Sequence, residues 1–238
     1  MSGHLNPGGQ QFRDDDGTAD PHVTEALAAY HAGQGSEQDA LTALAAARLL
    51  VPVVAVLADG PAGRGDRAAE GDKNSEMVLP TLIGRDGRPA VLAFTGLDAL
   101  ARWRPNARPV PAESDRVWRA AVVDGCAVVI DVAGPVPLAV EGTRLAALAA
   151  GQPVPAAHED GDVRAEVEAA IAAEPVIAGF SLAPSHQVDL AVRLHLGNHA
   201  NGDWQPAVNH VAQRIAGRLA GRLRRGVEFS VTRDPIGS

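Results

Sequence analysis

Apolar positions along the chain repeat with two different periods, and the switches between them mark out its elements. Val23, Leu27 and Tyr30 recur at helical spacing behind Asp20 and Pro21, which predict an N-cap and a first helical residue; Gly33 and Gly35 close that helix. Ser36 with Asp39 three residues on predicts a second helix start, burying Leu41, Leu44 and Ala45. The unbroken apolar run 49–57 predicts a strand, which Pro52 places at an edge or near a strand start. Segments 77–83 and 89–94 predict a hairpin around Gly84-Arg85-Asp86-Gly87. Thr95 and Ser114 predict caps for two helices. The first carries Leu97, Leu100 and Trp103; the second carries Val117, Trp118, Ala121 and Val122, and Gly125 ends it. Paired strands at 126–132 and 137–140 follow, then a short helix with Leu145 and Leu148 that closes at Gly151.

The remainder reads α-β-β-α-β. A helix over 162–173 precedes a strand over 175–182. The next strand alternates strictly, with Val188, Leu190, Val192, Leu194 and Leu196 on one face. A long helix over 204–225 carries the apolar stripe Val208, Val211, Ile215, Leu219 and Leu223, and 227–231 forms the last strand. Residues 1–19 lack apolar periodicity, which predicts disorder. Residues 59–75, rich in Gly, Arg and Asp, predict a long hairpin loop or insertion. The expected organisation is a tail and leading helix over 1–35, a domain over 36–151, a linker over 152–161 and a C-terminal domain over 162–238. The expected fold class is mixed α/β (α+β), with two associated units, each a small mixed sheet packed against helices.

Composition narrows the function. Of 238 residues 46% are hydrophobic but only 3% aromatic, so Ala, Val and Leu fill the core. A net charge of −8 disfavours a polyanion, so no nucleic-acid partner is expected. The polar N-terminus does not read as a signal peptide, and the apolar stretch 49–58 is too short to span a membrane, so no membrane partner is expected. Cys126 is the one cysteine, which excludes an intrachain disulfide and a cysteine-based metal site. A soluble, cytoplasmic protein follows.

Several short motifs occur in a fixed order: Leu50-Val51-Pro52-Val53, then Met77-Val78-Leu79-Pro80-Thr81, Asp86-Gly87-Arg88, Ala93-Phe94-Thr95 and a helix ending at Trp103. Over about 40–150 this order resembles the N-terminal domain of the SseB family, and the α-β-β-α-β tail resembles, more weakly, the family's C-terminal domain. The resemblance implies a link to serine sensitivity and to sulfur transfer through a rhodanese-like partner. It supplies no catalytic residues.

The candidate chemistry is sparse. Gly179-Phe180-Ser181-Leu182-Ala183 approaches a nucleophile elbow, but Pro184 and a strand follow where a helix is needed, so an ordinary strand end is the better reading. The glycines of 59–71 lack the Gly-Lys-Ser/Thr ending of a phosphate loop, and Arg64-Gly65-Asp66 within them carries no role. His186, His195, His199 and His210 fall close together, and His195 with His199 straddles a turn. Zinc needs three or four ligands within roughly 2–2.3 Å of one point, and no metal is expected here. Asp14–Asp16 lie in the tail, Glu166 and Glu168 point to different helix faces, and Cys126 lies in an apolar strand; none is set for acid–base or thiol chemistry. His210, Arg214, Arg218 and Arg222 recur at i, i+4 spacing and form one basic face of the long helix. They are the candidate binding residues, either a solvated face or a site for an acidic partner or anion. The expected function is non-enzymatic protein–protein interaction without a cofactor. The alternative is an enzyme or small-molecule binder with a pocket between the two units.

Overall fold

The structure is a computed structural model that describes residue 12 and residues 15–57, 75–78, 81–84, 87–197 and 204–233. The loop expected over 59–75 lies, apart from Ser75, outside the described residues, as do His199 and Arg64-Gly65-Asp66. Among the described residues helices interleave with three small sheets, so the fold is α+β as expected. The chain clusters into two compact units, Met1–Asp20 with Arg48–Val140, and Pro21–Ala47 with Glu141–Ser238. The opening helices α1 (Pro21–His31) and α2 (Glu37–Ala45) thus belong to the second unit.

The first unit comprises β1 (Arg48–Leu57), β2 (Ser75–Val78), β3 (Thr81–Ile83), β4 (Pro89–Ala93), α3 (Leu97–Trp103), β5 (Arg108–Glu113), α4 (Ser114–Asp124), β6 (Ala127–Ile130) and β7 (Leu138–Val140). Its sheets run β2-β1-β5 and β3-β4-β6-β7. Among its described strands only β4 and β6 pair in parallel, with α3, β5 and α4 forming their crossover. The sheets join where Leu50 and Phe94 exchange backbone hydrogen bonds, at 2.7 and 2.8 Å. Pro52, two residues on from Leu50, has no N–H to give on the Phe94 side, and there the pairing is a single bridge before the pairing with β2 starts at Val54, opposite Val78. The proline therefore sits in the middle strand of three without breaking a ladder. Phe94 is fully buried with Leu50, Leu92 and Leu100, its ring 5.6 Å from that of Trp103.

Several local expectations change. The single strand expected over 77–83 is two strands in different sheets, with Pro80 between them. Strand β5, which the sequence reading missed, holds Pro109 and Pro111, tolerated because it is an edge strand. Thr95 does not cap α3: Gly96 is the N-cap residue, and the Thr95 side chain turns to Asp131 instead. Leu97 is 41% exposed and Val122 47% exposed; the buried face of α4 is Ser114, Val117, Trp118 and Ala121, and Val122 falls on its rim. Ser114 is the first helical residue rather than the cap.

The second unit adds α5 (Gly142–Ala149), α6 (Gly161–Ile171), β8 (Ile177–Ala183), β9 (Leu190–Leu196), α7 (Gln205–Leu219) and β10 (Val227–Thr232). Its sheet has the order β10-β9-β8, with β9 antiparallel to β8 and parallel to β10 across α7. Leu190, Val192, Leu194 and Leu196 of β9 are buried in alternation. They pack with Val163 and Val167 of α6 and with Val208, Val211, Ile215 and Leu219 of α7. The Ser36–Asp39 capping box forms as expected, but Ala45 is exposed and α2 buries Glu37, Ala40, Leu41 and Leu44. Helix α7 ends at Leu219, not near 225; Leu223 stays buried in the turns that follow.

Candidate functional site

The early end of α7 divides its basic face. His210, Arg214 and Arg218 lie on the helix with side chains 66, 36 and 50% exposed. Arg214 donates to Glu174 at 3.0 Å and Arg218 to Glu166 at 2.7 Å, while His210 Nδ1 lies 3.9 Å from Glu174. Arg222 lies beyond Leu219, so the i, i+4 geometry that would align it with Arg218 no longer applies. Its side chain is only 18% exposed and points inward, so the solvated reading fails for this member of the stripe.

Arg222 enters a buried charge network within the second unit. Its Nε and Nη2 donate to Glu37 at 3.2 Å each, and Nη2 also donates to Asp160 at 2.7 Å. Arg144 Nη1 donates to the other oxygen of Glu37. Glu37, Arg144 and Asp160 are all buried. Two guanidinium and two carboxylate groups thus balance, which is the condition for keeping charges out of water. Asp160 also caps α6, accepting from the N–H groups of Asp162 and Val163, and accepts from Thr143 Oγ1 at 2.7 Å. Thr143 N donates to Asp162 at 2.8 Å, so the first turns of α5 and α6 share these carboxylates. The Tyr30 hydroxyl donates to the carbonyls of Gly221 and Arg222, which holds α1 to the same turn.

Burial pushes the Glu37 carboxyl above its ordinary value against the pull of Arg144 and Arg222. Burial opposes ionisation of Asp160 too, but its bonds to Thr143 and Arg222 prevail and hold it below the usual range. Arg222 is desolvated as well, and Glu37 with Asp160 secures its charge. The network fixes conformation; every oxygen named in it faces a donor of the protein.

Beside it lies a cleft lined by Ser36, His158, Ser185, Asp189, Arg222 and Arg225. Its volume is about 180 Å³, below the range of ~300–1,000 Å³ usual for small-molecule sites. Asp189 accepts from Arg225 N at 2.8 Å, and burial pushes its carboxyl up.

The remaining candidates stay apart. His195 Nε2 lies 3.2 Å from Ser181 Oγ across β9 and β8, but Ser181 is a mid-strand residue, not the apex of a strand–helix turn. Among the described residues no three His, Cys, Asp or Glu side chains converge as metal ligands. Burial pushes the Cys126 thiol up, away from the reactive thiolate. Asp15 of the expected disordered tail is ordered against Arg48, at 2.7 Å. Sequence reasoning missed Glu37, Arg144 and Asp160. The available signal was a Glu inside an apolar helix start, together with an Asp just before the helix start expected at 162.

No helix of the described residues is long and apolar enough to cross a membrane. No curated protein and no solved structure matches the chain. The family described as SseB protein N-terminal domain matches residues 23–147, a span that runs from α1 through the whole of β1–β7 into α5. That match covers more than half of the chain: the protein belongs to the SseB family.

Proposed function

We propose that this SseB family protein is a cytoplasmic, non-enzymatic binding protein that takes an acidic protein partner on the α7 face formed by His210, Arg214 and Arg218. The observation that carries the reading is the division of the basic stripe. Arg222 is committed to a buried network, while Arg214, Arg218 and the His210 imidazole stay at the surface of a chain of net charge −8. Arg218 and Glu166 form an exposed pair, which contributes about 0–1 kcal/mol, while Arg214 meets the part-buried Glu174. An incoming carboxylate can therefore replace Glu166 at little cost and reach Arg214 from its exposed side. The serine sensitivity implied by the family resemblance would then follow from loss of that partner, and the tail from 162 onward, which carries this face, would be the family's C-terminal domain.

The reading is tested with a fluorescent oligo-glutamate peptide titrated against the protein at low and at physiological salt. The expected result is saturable binding that weakens as the screening length shortens to about 8 Å, and that is lost in Arg214→Gln/Arg218→Gln. Binding unchanged in that variant would refute it. A small-molecule reading would use the cleft beside Arg222, which lies within the second unit and whose volume sets that reading second.

A further inference from the structure

Residues 15–19 of the first unit form a strap, and the surface beneath it is built for backbone and charge rather than for apolar side chains. Arg48, at the start of β1, is the central contact. Its Nε lies 2.7 Å from Asp15 Oδ2, its Nη2 donates to the Thr18 carbonyl, and its Nη1 donates to the Thr95 carbonyl at 3.0 Å. The N–H of Leu97 donates to the Gly17 carbonyl at 2.9 Å. A side chain on Gly96 would place its Cβ 2.8 Å from the Ala19 backbone nitrogen, so the bare Cα of Gly96 is what lets the strap approach. Gly17 is favoured by its φ of +77°, and a Cβ there would also have to displace the half-exposed Leu97 side chain. The strap is preshaped as well, since Gly17 N donates to Asp15 at 2.8 Å and Thr18 N to Asp16 at 2.9 Å.

None of these residues enters the apolar core; the buried residue of the strap is Gly17 itself. The contacts thus specify a short chemical pattern, an Asp followed two residues later by Gly and four residues later by a small side chain, and nothing in them requires covalent continuity with β1. We propose that the Arg48–Gly96 surface is a docking site for an acidic Asp-x-Gly-x-Ala segment of a partner protein, held shut in the isolated chain by the protein's own strap. The cis segment shows which chemistry fits, and Arg48 supplies the complementary charge. This site lies in the first unit and does not rest on the α7 reading.

A strap competing in cis lowers the apparent affinity for a trans segment by the fraction of molecules in which it is open. The test uses a labelled peptide of residues 12–20 added to the full-length protein and to Asp15→Lys, in which like charges release the strap. The expected result is saturable binding to Asp15→Lys at least about tenfold tighter than to the unaltered protein, and no binding of a peptide carrying Gly17→Ala. Asp15→Asn, a milder release, should fall between the two and guards against misfolding of the lysine variant. Equal binding by both proteins, or equal binding of the Gly17→Ala peptide, would overturn the proposal. So would a concentration-dependent dimer abolished by Arg48→Glu, because the occupant would then be the strap of a second copy.

Discussion

Glu37 and Arg222, 185 positions apart in the sequence, meet inside the second unit, with Nε and Nη2 of the arginine both 3.2 Å from one carboxylate oxygen. Glu37 opens α2, and Arg222 follows α7; Arg144 of α5 and the α6 cap Asp160 complete the set. Four segments of chain are therefore tied through one balanced cluster of charges. Truncating Arg222 to Ala strips Asp160 of its ion-pair partner and leaves Glu37 with Arg144 alone. The expected loss is about 3–5 kcal/mol of unfolding free energy in urea. The double variant Glu37→Gln/Arg222→Met should lose less than the sum of the single changes, because the Glu37–Arg222 contact that each single change breaks is then lost only once, while Arg144 and Asp160 lose their charged partners as they do in the single variants. Additive losses would show that the two groups do not share a network.

The two carboxylates give opposite pH signatures. Asp160 is held below its ordinary 3.8, so its contribution is present above that pH and is lost as pH falls through its folded value. Glu37 is raised above 4.5, so between that pH and its folded value the native state binds a proton that the unfolded chain lacks, and stability falls as pH rises through the window. Urea unfolding across this range should show stability first rising slightly on acidification from neutrality, then falling below 3.8. Glu37→Gln should remove the rise, and Asp160→Asn should remove the fall while keeping α6 capped, since Asn is as good an N-cap as Asp. An acid limb unchanged in Asp160→Asn would contradict this assignment.

In the first unit Asp131 plays a comparable part on a smaller scale. It is buried with φ +48°, and its two oxygens accept from Thr95 N at 2.9 Å and Thr95 Oγ1 at 2.7 Å. Asp131→Ala would leave the Thr95 N–H and hydroxyl without acceptors and place an alanine in a left-handed conformation, for an expected loss of about 1–3 kcal/mol. Asp131→Asn keeps one acceptor and tolerates that conformation, so it should lose less. A larger loss for Asn than for Ala, measured by denaturant unfolding, would count against the account.

Where a pattern is local, the sequence was sufficient. The cap at Ser36 with Asp39, the alternation of β9 from Leu190 on and the apolar stripe of α7 as far as Leu219 follow from two-residue and helical periods and form as expected, while Val188 and Leu223 fall outside those elements. The step Phe94-Thr95 was legible as a motif but not in its purpose: Phe94 bridges to Leu50 from the core, and Thr95 serves Asp131 rather than a helix. Both partners are distant in sequence, and no local period encodes them. Strand β5 was hidden by Pro109 and Pro111, because propensity cannot tell an edge strand from a loop. Arg222 was misjudged for the same kind of reason. Its spacing from Arg218 suggests a shared face only if the helix continues, and the tie from Tyr30 to the turn after α7 is a tertiary fact.

On the proposed reading, α7 and its following turn separate a binding face from a structural cation. The most direct measurement sets urea unfolding and oligo-glutamate titration side by side for Arg222→Ala and Arg214→Gln/Arg218→Gln. Arg222→Ala should lose several kcal/mol of stability, while the double variant should stay within about 1–2 kcal/mol of the unaltered protein yet no longer bind the peptide. A double variant that unfolds readily, or one that still binds the peptide as before in low salt, would contradict it.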